Sequence, residues 1–344
     1  MAEPPASVDL APPGSLRGRD YISAADFTPA EVRRVFETAA GLKSEFLGPR
    51  RHADPPLVRR TVAMLFDRPS LRTRVTFEAG MVQLGGQAIQ LAGDGVGWGS
   101  RETIADVGRN LERFVDGIVI RTGPHHIAEE FAAAAAIPVV NALTLREHPC
   151  QALADVFTVR ETFGDAAGLV LAFVGDGNNT YSSLAIVAAG QGIEVRLAHP
   201  PDYAPDSELV ASAEAAAALG GGRLVFTTDP REAVRGAHVV YTDAWFSMGQ
   251  EAEADARRRA FAGYQVDAAL LEIAGPQARA MHCLPAHRGE EITSEVMDGP
   301  RSIVFEQSEN RLHVQKGLLV ELLAGNGTDG SGQAPAGGGI IDRR

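Results

Sequence analysis

Apolar and polar positions follow two alternating rhythms along this chain. Short apolar runs at 61–66, 87–91, 117–121 and 138–141 predict buried strands. Longer stretches at 29–46, 70–84, 103–114 and 126–136 carry helical spacing. The second half repeats the scheme, with strands at 169–174, 193–198, 223–227, 238–242, 280–284 and 302–305 and helices at 181–190, 207–219 and 252–261. Strands that are apolar throughout predict parallel sheets covered on both faces. The expected fold class is α/β, with two doubly wound parallel-sheet domains joined by interdomain helices. The domains are expected at 20–147 and 148–311. A long helix at 148–163 makes the connection, and the amphipathic segment 312–324 returns to pack on the first domain. Segment 1–19, rich in Pro, Ala and Gly, and the Gly-rich segment 325–344 are expected to be disordered.

Composition narrows the picture. With 344 residues, 45% hydrophobic and 22% charged, the chain can fill two sizeable cores. A net charge of −12 argues against a nucleic-acid partner, but a local arginine cluster could still take a small anion. Two cysteines, Cys150 and Cys283, are too few for a disulfide scaffold and lack metal-ligand spacing. A reducing cytoplasm fits that cysteine usage, and the N-terminus lacks the basic-then-apolar pattern of a signal peptide. No run approaches the ~18 apolar residues of a membrane span.

Ligands of open α/β sheets sit beyond the carboxyl ends of strands, and the chemically unusual residues of this chain fall there. After strand 61–66 and an Asp67-Arg68-Pro69 turn comes Ser70-Leu71-Arg72-Thr73-Arg74. Apolar residues at Leu71, Val75, Val82 and Leu84 then suggest a helix. A helix N-terminus with two hydroxyls and two guanidiniums suits a phosphate dianion, although a basic first turn on a solvated helix is an equal alternative. Arg121 ends strand 117–121. His148 and Gln151 share one face of the connecting helix, and each can donate to a carbonyl oxygen. Gly175-Asp176-Gly177-Asn178-Asn179 resembles the start of a dinucleotide fingerprint. However, Thr180 replaces the third glycine and no acid ends the second strand, so the amides suit an amino-acid carboxylate better than NAD. Asp243, in Asp243-Ala244-Trp245-Phe246-Ser247-Met248, can hold an ammonium. In His282-Cys283-Leu284-Pro285, adjacent strand residues face opposite ways, so His282 is poorly placed as a base for Cys283. Zinc would need more ligands than the spacing supplies.

Taken together, Ser-x-Arg-Thr-Arg, His-Pro-x-Gln and His-Cys-Leu-Pro resemble, in order and approximate spacing, the aspartate/ornithine carbamoyltransferase family. Gly-Asp-Gly-Asn-Asn and Asp-x-Trp-x-Ser-Met-Gly-Gln-Glu resemble its ornithine branch. The resemblance covers roughly residues 20–324. It implies carbamoyl transfer from carbamoyl phosphate to L-ornithine, within arginine metabolism, without metal or organic cofactor. It implies carbamoyl phosphate binding by Ser70, Leu71, Arg72, Thr73, Arg121, His148, Gln151, Cys283, Leu284 and Arg311. It implies ornithine binding by Asn179, Asp243, Ser247 and Met248, with Arg121, His148 and Cys283 catalytic. It also implies a homotrimer, or a multiple of trimers, with active sites between subunits. Two positions depart from the family pattern: Leu71 stands where many relatives have Thr, and Gly97 where many have Gln or His.

Overall fold

The computed structural model describes residues 14–92, 97–246 and 253–324. In the first half α1 (Pro29–Leu47), β1 (Thr61–Phe66), α2 (Leu71–Gln83), β2 (Gln87–Ala92), α3 (Ile104–Leu111), β3 (Gly117–Arg121), α4 (His125–Ala134) and β4 (Val139–Leu143) alternate. α5 (Pro149–Phe163) then leads to β5 (Val170–Val174), α6 (Asn179–Gly190), β6 (Glu194–Ala198), α7 (Ser207–Gly220), β7 (Arg223–Thr227), α8 (Pro230–Val234) and β8 (Val239–Thr242). α9 (Ala254–Ala260), α10 (Ala268–Ala274), β9 (Arg279–His282), α11 (Ser294–Met297) and α12 (Val304–Leu323) complete the described chain.

The strands form two parallel sheets, ordered β2-β1-β3-β4 and β7-β6-β5-β8-β9. Each winds outward in both directions from a central pair, so each has a topological switch point, between β1 and β3 and between β5 and β8. Central β3 and β8 are buried at every residue; of the edge strands, β2 and β7 are only partly covered, whereas β4 and β9 are each buried at all but one residue. A continuous apolar core joins Met64 and Val119 of the first sheet to Leu171 and Phe173 of the second through Leu153 and Phe157 of α5. Burying each such large side chain contributes roughly 1.5–3 kcal/mol.

α12 lies against α1, α2 and α5. Asn310 on α12 bridges to Thr158 and Glu161 on α5 and accepts from Lys43 of α1, at 2.7–3.0 Å. Its end reaches the first described residues, where the Gly18 N–H donates to the Leu322 carbonyl at 3.0 Å and Leu16 is fully buried. Packing therefore begins ahead of residue 20, and residues 14–19 are not loose.

Three expectations about the elements need correction. Segment 302–305 is not a strand: only Ser302 bridges to Ala280, and Val304 opens α12. That helix starts eight residues before 312 because its buried stripe includes the polar Gln307, Asn310 and Arg311, which break the apolar pattern. On α2 the apolar stripe is inverted. Thr73, Phe77, Gly80 and Met81 face the core, while Leu71, Val75 and Val82 are exposed and, of the four expected apolar positions, Leu84 alone is buried. The short helices α8, α10 and α11 went unpredicted, being under two turns long or hidden in apolar runs.

Candidate active site

Both switch points open into one cleft of about 670 Å³. One wall carries Arg68 to Thr73, Arg121, His148 and Arg311. The other carries Asp176, Asn178, Asn179, Asp243, Cys283 and Leu284.

The cationic wall is built on the start of α2. Ser70 caps the helix, its hydroxyl accepting from the Thr73 N–H at 3.2 Å. The Thr73 hydroxyl, fully buried, accepts from Arg311 at 2.8 Å and from Arg121 at 3.4 Å. Arg72, Arg121 and Arg311 thus converge on one spot at a helix N-terminus, a strong anion site. Burial, reinforced by neighbouring Arg311 and Arg72, pushes Arg121 down to about 10, and burial also lowers Arg72 and Arg311. All three remain cations at neutral pH, with no carboxylate at salt-bridge distance among the described residues. Arg68 joins them on the cleft wall. Gly123 leaves its guanidinium room, since a Cβ there would lie 2.9 Å from Nη2.

His148 stands at the start of α5 beside these arginines. Burial, then Arg311, Arg121 and Arg72, hold its imidazole well below the usual range, so it is neutral. Its backbone N–H donates to Ser183, which donates to the buried Glu147, and Glu147 also accepts from the Ala24 N–H. Among the described residues its Nδ1 has no hydrogen-bond partner. Gln151 does not line the cleft. Its amide lies behind Arg311, accepting from that guanidinium at 2.9 Å and donating to Asp155 at 2.7 Å.

The opposite wall is acidic and amide-rich. Asp243, just past β8, accepts from the Cys283 thiol at 2.9 Å and from the Asn178 amide at 2.9 Å. Burial and then Asp243 push the Cys283 thiol well above its usual range, so it stays protonated. Asn178 also caps α6, accepting from the N–H groups of Thr180 and Tyr181. Asn179 donates to the Thr144 carbonyl at 2.6 Å, bracing one wall against the other. Asp176 is paired with Arg257 at 2.6 Å. His282 faces away from the cleft, as strand alternation predicts. Its Nδ1 accepts from the Leu284 N–H and its Nε2 donates to buried Glu291 at 3.0 Å. Leu284 has φ 61 and is followed by a cis bond to Pro285. Ser247 and Met248 lie outside the described residues.

Sequence reasoning missed Arg68, Asn178 as the holder of Asp243, and the pair Phe246–His287, whose rings stack at 5.0 Å on the cleft rim. The Arg68 signal was present, since it directly precedes Pro69. Gly97 sits at φ +67, with Arg101 Cβ 3.1 Å from where its own Cβ would be, so this backbone suits glycine and resists Gln or His. Ser100 Oγ is turned inward to the Gly97 carbonyl.

Two doubly wound sheets facing one cleft, cationic on one wall and anionic on the other, define a two-substrate α/β enzyme that takes an anion and a cation side by side. Residues 19–161 match the domain described as "Aspartate/ornithine carbamoyltransferase, carbamoyl-P binding domain", and residues 167–322 match the "Asp/Orn binding domain" of the same family. The ornithine carbamoyltransferase of Symbiobacterium thermophilum is 50% identical over 310 residues, covering 90% of this chain and 99% of its own. The solved ornithine carbamoyltransferase of Pyrococcus furiosus superposes with a TM-score of 0.87 at 45% identity, covering 90% and 98%. An acetylornithine transcarbamylase solved with acetylcitrulline superposes at 0.81 with 31% identity, covering 90% and 100%. The chain belongs to the aspartate/ornithine carbamoyltransferase family.

Proposed function

We propose that this enzyme transfers the carbamoyl group of carbamoyl phosphate to the δ-amine of L-ornithine, giving L-citrulline and phosphate. The observation that carries the reading is the apposition of two buried guanidiniums, Arg121 and Arg311, and the half-buried Arg72 with the Asp243–Cys283 pair across one cleft. Curated relatives named ornithine carbamoyltransferase support the choice of acceptor.

Arg72, Arg121, the α2 N-terminus and the Ser70 hydroxyl grip the phosphate. Thr73 organises Arg121 and Arg311 around it. The neutral His148 and Arg121 donate to the carbamoyl oxygen, where negative charge builds as the amine nitrogen attacks the carbon; such donors typically contribute several kcal/mol. The carbon–oxygen bond to phosphate then breaks, phosphate keeps the electron pair, and the proton lost by the nitrogen passes to the departing phosphate, which leaves as hydrogen phosphate. The amine must be neutral to attack. With a pKa near ~10.4, only about one in a thousand is neutral near pH 7, a cost of roughly 4 kcal/mol. Nearby guanidiniums favour the neutral form. Asp243 takes the α-ammonium, and Asn179 and Asn178 flank the α-carboxylate. The protonated Cys283 thiol orients Asp243 and the incoming chain and forms no covalent intermediate.

Exposed Leu71, Val75 and Val82 along α2, beside edge strand β2, support self-association, which we assign to a trimer. Among the described residues no helix is long and apolar enough to cross a membrane.

The test is citrulline formation from carbamoyl phosphate and ornithine, with aspartate, putrescine and N-acetylornithine in parallel. Activity with ornithine alone supports the reading. Preference for another amine overturns the ornithine assignment, and silence with every acceptor overturns the reaction. Asp243→Asn is expected to raise the ornithine KM at least tenfold, and an unchanged value would remove Asp243 from the site.

A further inference from the structure

Beneath the cleft lies a carboxylate that the proposed mechanism does not use. Asp155 on α5 is fully buried, and its hydrogen-bond partners are neutral. Oδ1 accepts from Gln151 Nε2 at 2.7 Å and from Gln307 Nε2 at 2.6 Å, and Oδ2 accepts from the Tyr241 hydroxyl at 3.0 Å. The far end of each glutamine meets a group that can only donate. Gln151 Oε1 accepts from Arg311 at 2.9 Å, and Gln307 Oε1 accepts from the backbone N–H of His282 at 2.9 Å. A guanidinium and a peptide N–H offer no acceptor. Each amide is therefore pinned with its oxygen outward and its nitrogen toward Asp155. Reversing either amide would set donor against donor, and only an acceptor at position 155 satisfies both.

The two arms end at opposite walls of the cleft. Arg311 continues to the Thr73 hydroxyl at the anion end. His282 directly precedes Cys283, whose thiol meets Asp243, and Tyr241 lies two residues before Asp243 on β8. We propose that Asp155 is a positioning residue for both half-sites: one carboxylate fixes Arg311 through Gln151, and the strand ends bearing Cys283 and Asp243 through Gln307 and Tyr241. This rests on the substrate assignment above and adds to it the element that locks the two substrate sites into one register. Interposing Gln151 also has a chemical logic. A direct Asp155–Arg311 salt bridge would neutralise the guanidinium, whereas a neutral amide orients it and leaves its charge for the phosphate.

Burial, opposed by the three hydrogen bonds and Arg311, pushes Asp155 up to about 6. The titratable and charged groups facing it are Arg311 from α12, Tyr241 from β8 and Cys283 beyond β9. It is ionised at neutral pH and takes a proton in mild acid, when the Tyr241 hydroxyl loses its acceptor.

The experiment uses the full chain as wild type, Asp155→Ala, Asp155→Asn, Gln151→Leu and the Gln151→Leu/Asp155→Ala double variant. It measures KM for both substrates and kcat from pH 5 to 8.5, with the Kd of inorganic phosphate by calorimetry. Asp155→Ala is expected to raise the phosphate Kd and the ornithine KM about tenfold each. With Gln151→Leu already present, Asp155→Ala should worsen the phosphate Kd less than about twofold while the ornithine KM still rises, because only the first arm runs through Gln151. Asp155→Asn keeps the shared acceptor oxygen but not the charge, and should flatten the activity loss below about pH 6. A folded Asp155→Ala with wild-type constants overturns the proposal, as does a phosphate effect that multiplies fully with Gln151→Leu. If Asp155→Ala does not fold, Asp155→Asn decides, and an unchanged pH profile and KM overturn it. Wild type that makes no citrulline yet shows the split in phosphate Kd would instead locate the failure in the substrate assignment.

Discussion

At the scale of single residues, the anion end holds charge that repels itself. Arg121 and Arg311 each donate to the one Thr73 hydroxyl; Arg311 weakens Arg121's hold on its proton, and Arg72 weakens that of both. A bound dianion relieves that repulsion, so phosphate should stabilise the protein well, by about 2.7 kcal/mol at a hundredfold excess over its Kd. Arg121→Ala is expected to abolish this gain, measured as the rise in thermal midpoint on adding phosphate, while leaving the unliganded midpoint equal or higher. A full phosphate shift in the variant would remove Arg121 from the anion site. At the other wall, the Asp243 charge helps keep the Cys283 thiol protonated. Asp243→Asn should therefore speed alkylation of Cys283 several-fold at pH 8, and an unchanged rate would mean burial alone sets the thiol's behaviour. Arg72, Arg121 and Asp243 were legible in the sequence because each stands at the carboxyl end of an apolar run. The setting of Gln151 was not. Helical spacing places it on the face of His148, but whether that face meets the cleft or lies behind Arg311 depends on α12, which returns from 160 residues further along the chain.

At the scale of elements, two local structures carry the site. The α2 N-terminus depends on its Ser70 cap, and Ser70→Ala is expected to cost about 1 kcal/mol of stability and to weaken phosphate binding, checked by urea unfolding and calorimetry. The β5–α6 turn depends on Gly177, where a Cβ would sit 2.3 Å from Pro205 N. Gly177→Ala must push that backbone away and move Asn178 with it. The expected result is a raised ornithine KM with phosphate affinity retained, since the disturbance stays on one wall. Parallel strands and long helices were readable from period and length. The inverted stripe of α2 was not, because Leu71, Val75 and Val82 look like a core face and only the packing of Phe77 and Met81 shows otherwise. The start of α12 was hidden for the opposite reason, its buried positions being polar ones that find partners across the fold.

At the scale of the whole molecule, the network under the cleft sets stability against function. Asp155 gives up its charge at about 6 in the folded protein, above its ordinary value of 3.8. Between those values the folded state binds more protons than the unfolded state, so this group's contribution to stability is present below that window and is lost as pH rises through it. The stability of Asp155→Asn relative to wild type should therefore rise from pH 4 to pH 7, by on the order of 3 kcal/mol at most. Chemical unfolding at the two pH values measures it, and a gap that does not widen would mean the carboxylate is ionised at no cost.

The last helix also imposes an order in time. Leu318, Leu319 and Leu322 of α12 belong to the same core as Val62 and Met64 of β1, and Leu323 lies against the start of β3 at Gly117. A ribosome delivers those leucines after everything else described here. The first sheet therefore emerges with part of its cover still untranslated and keeps an apolar face open while the second is being made. The two halves of the cleft are completed together, once the segment that carries Arg311 to one and Gln307 to the other has emerged.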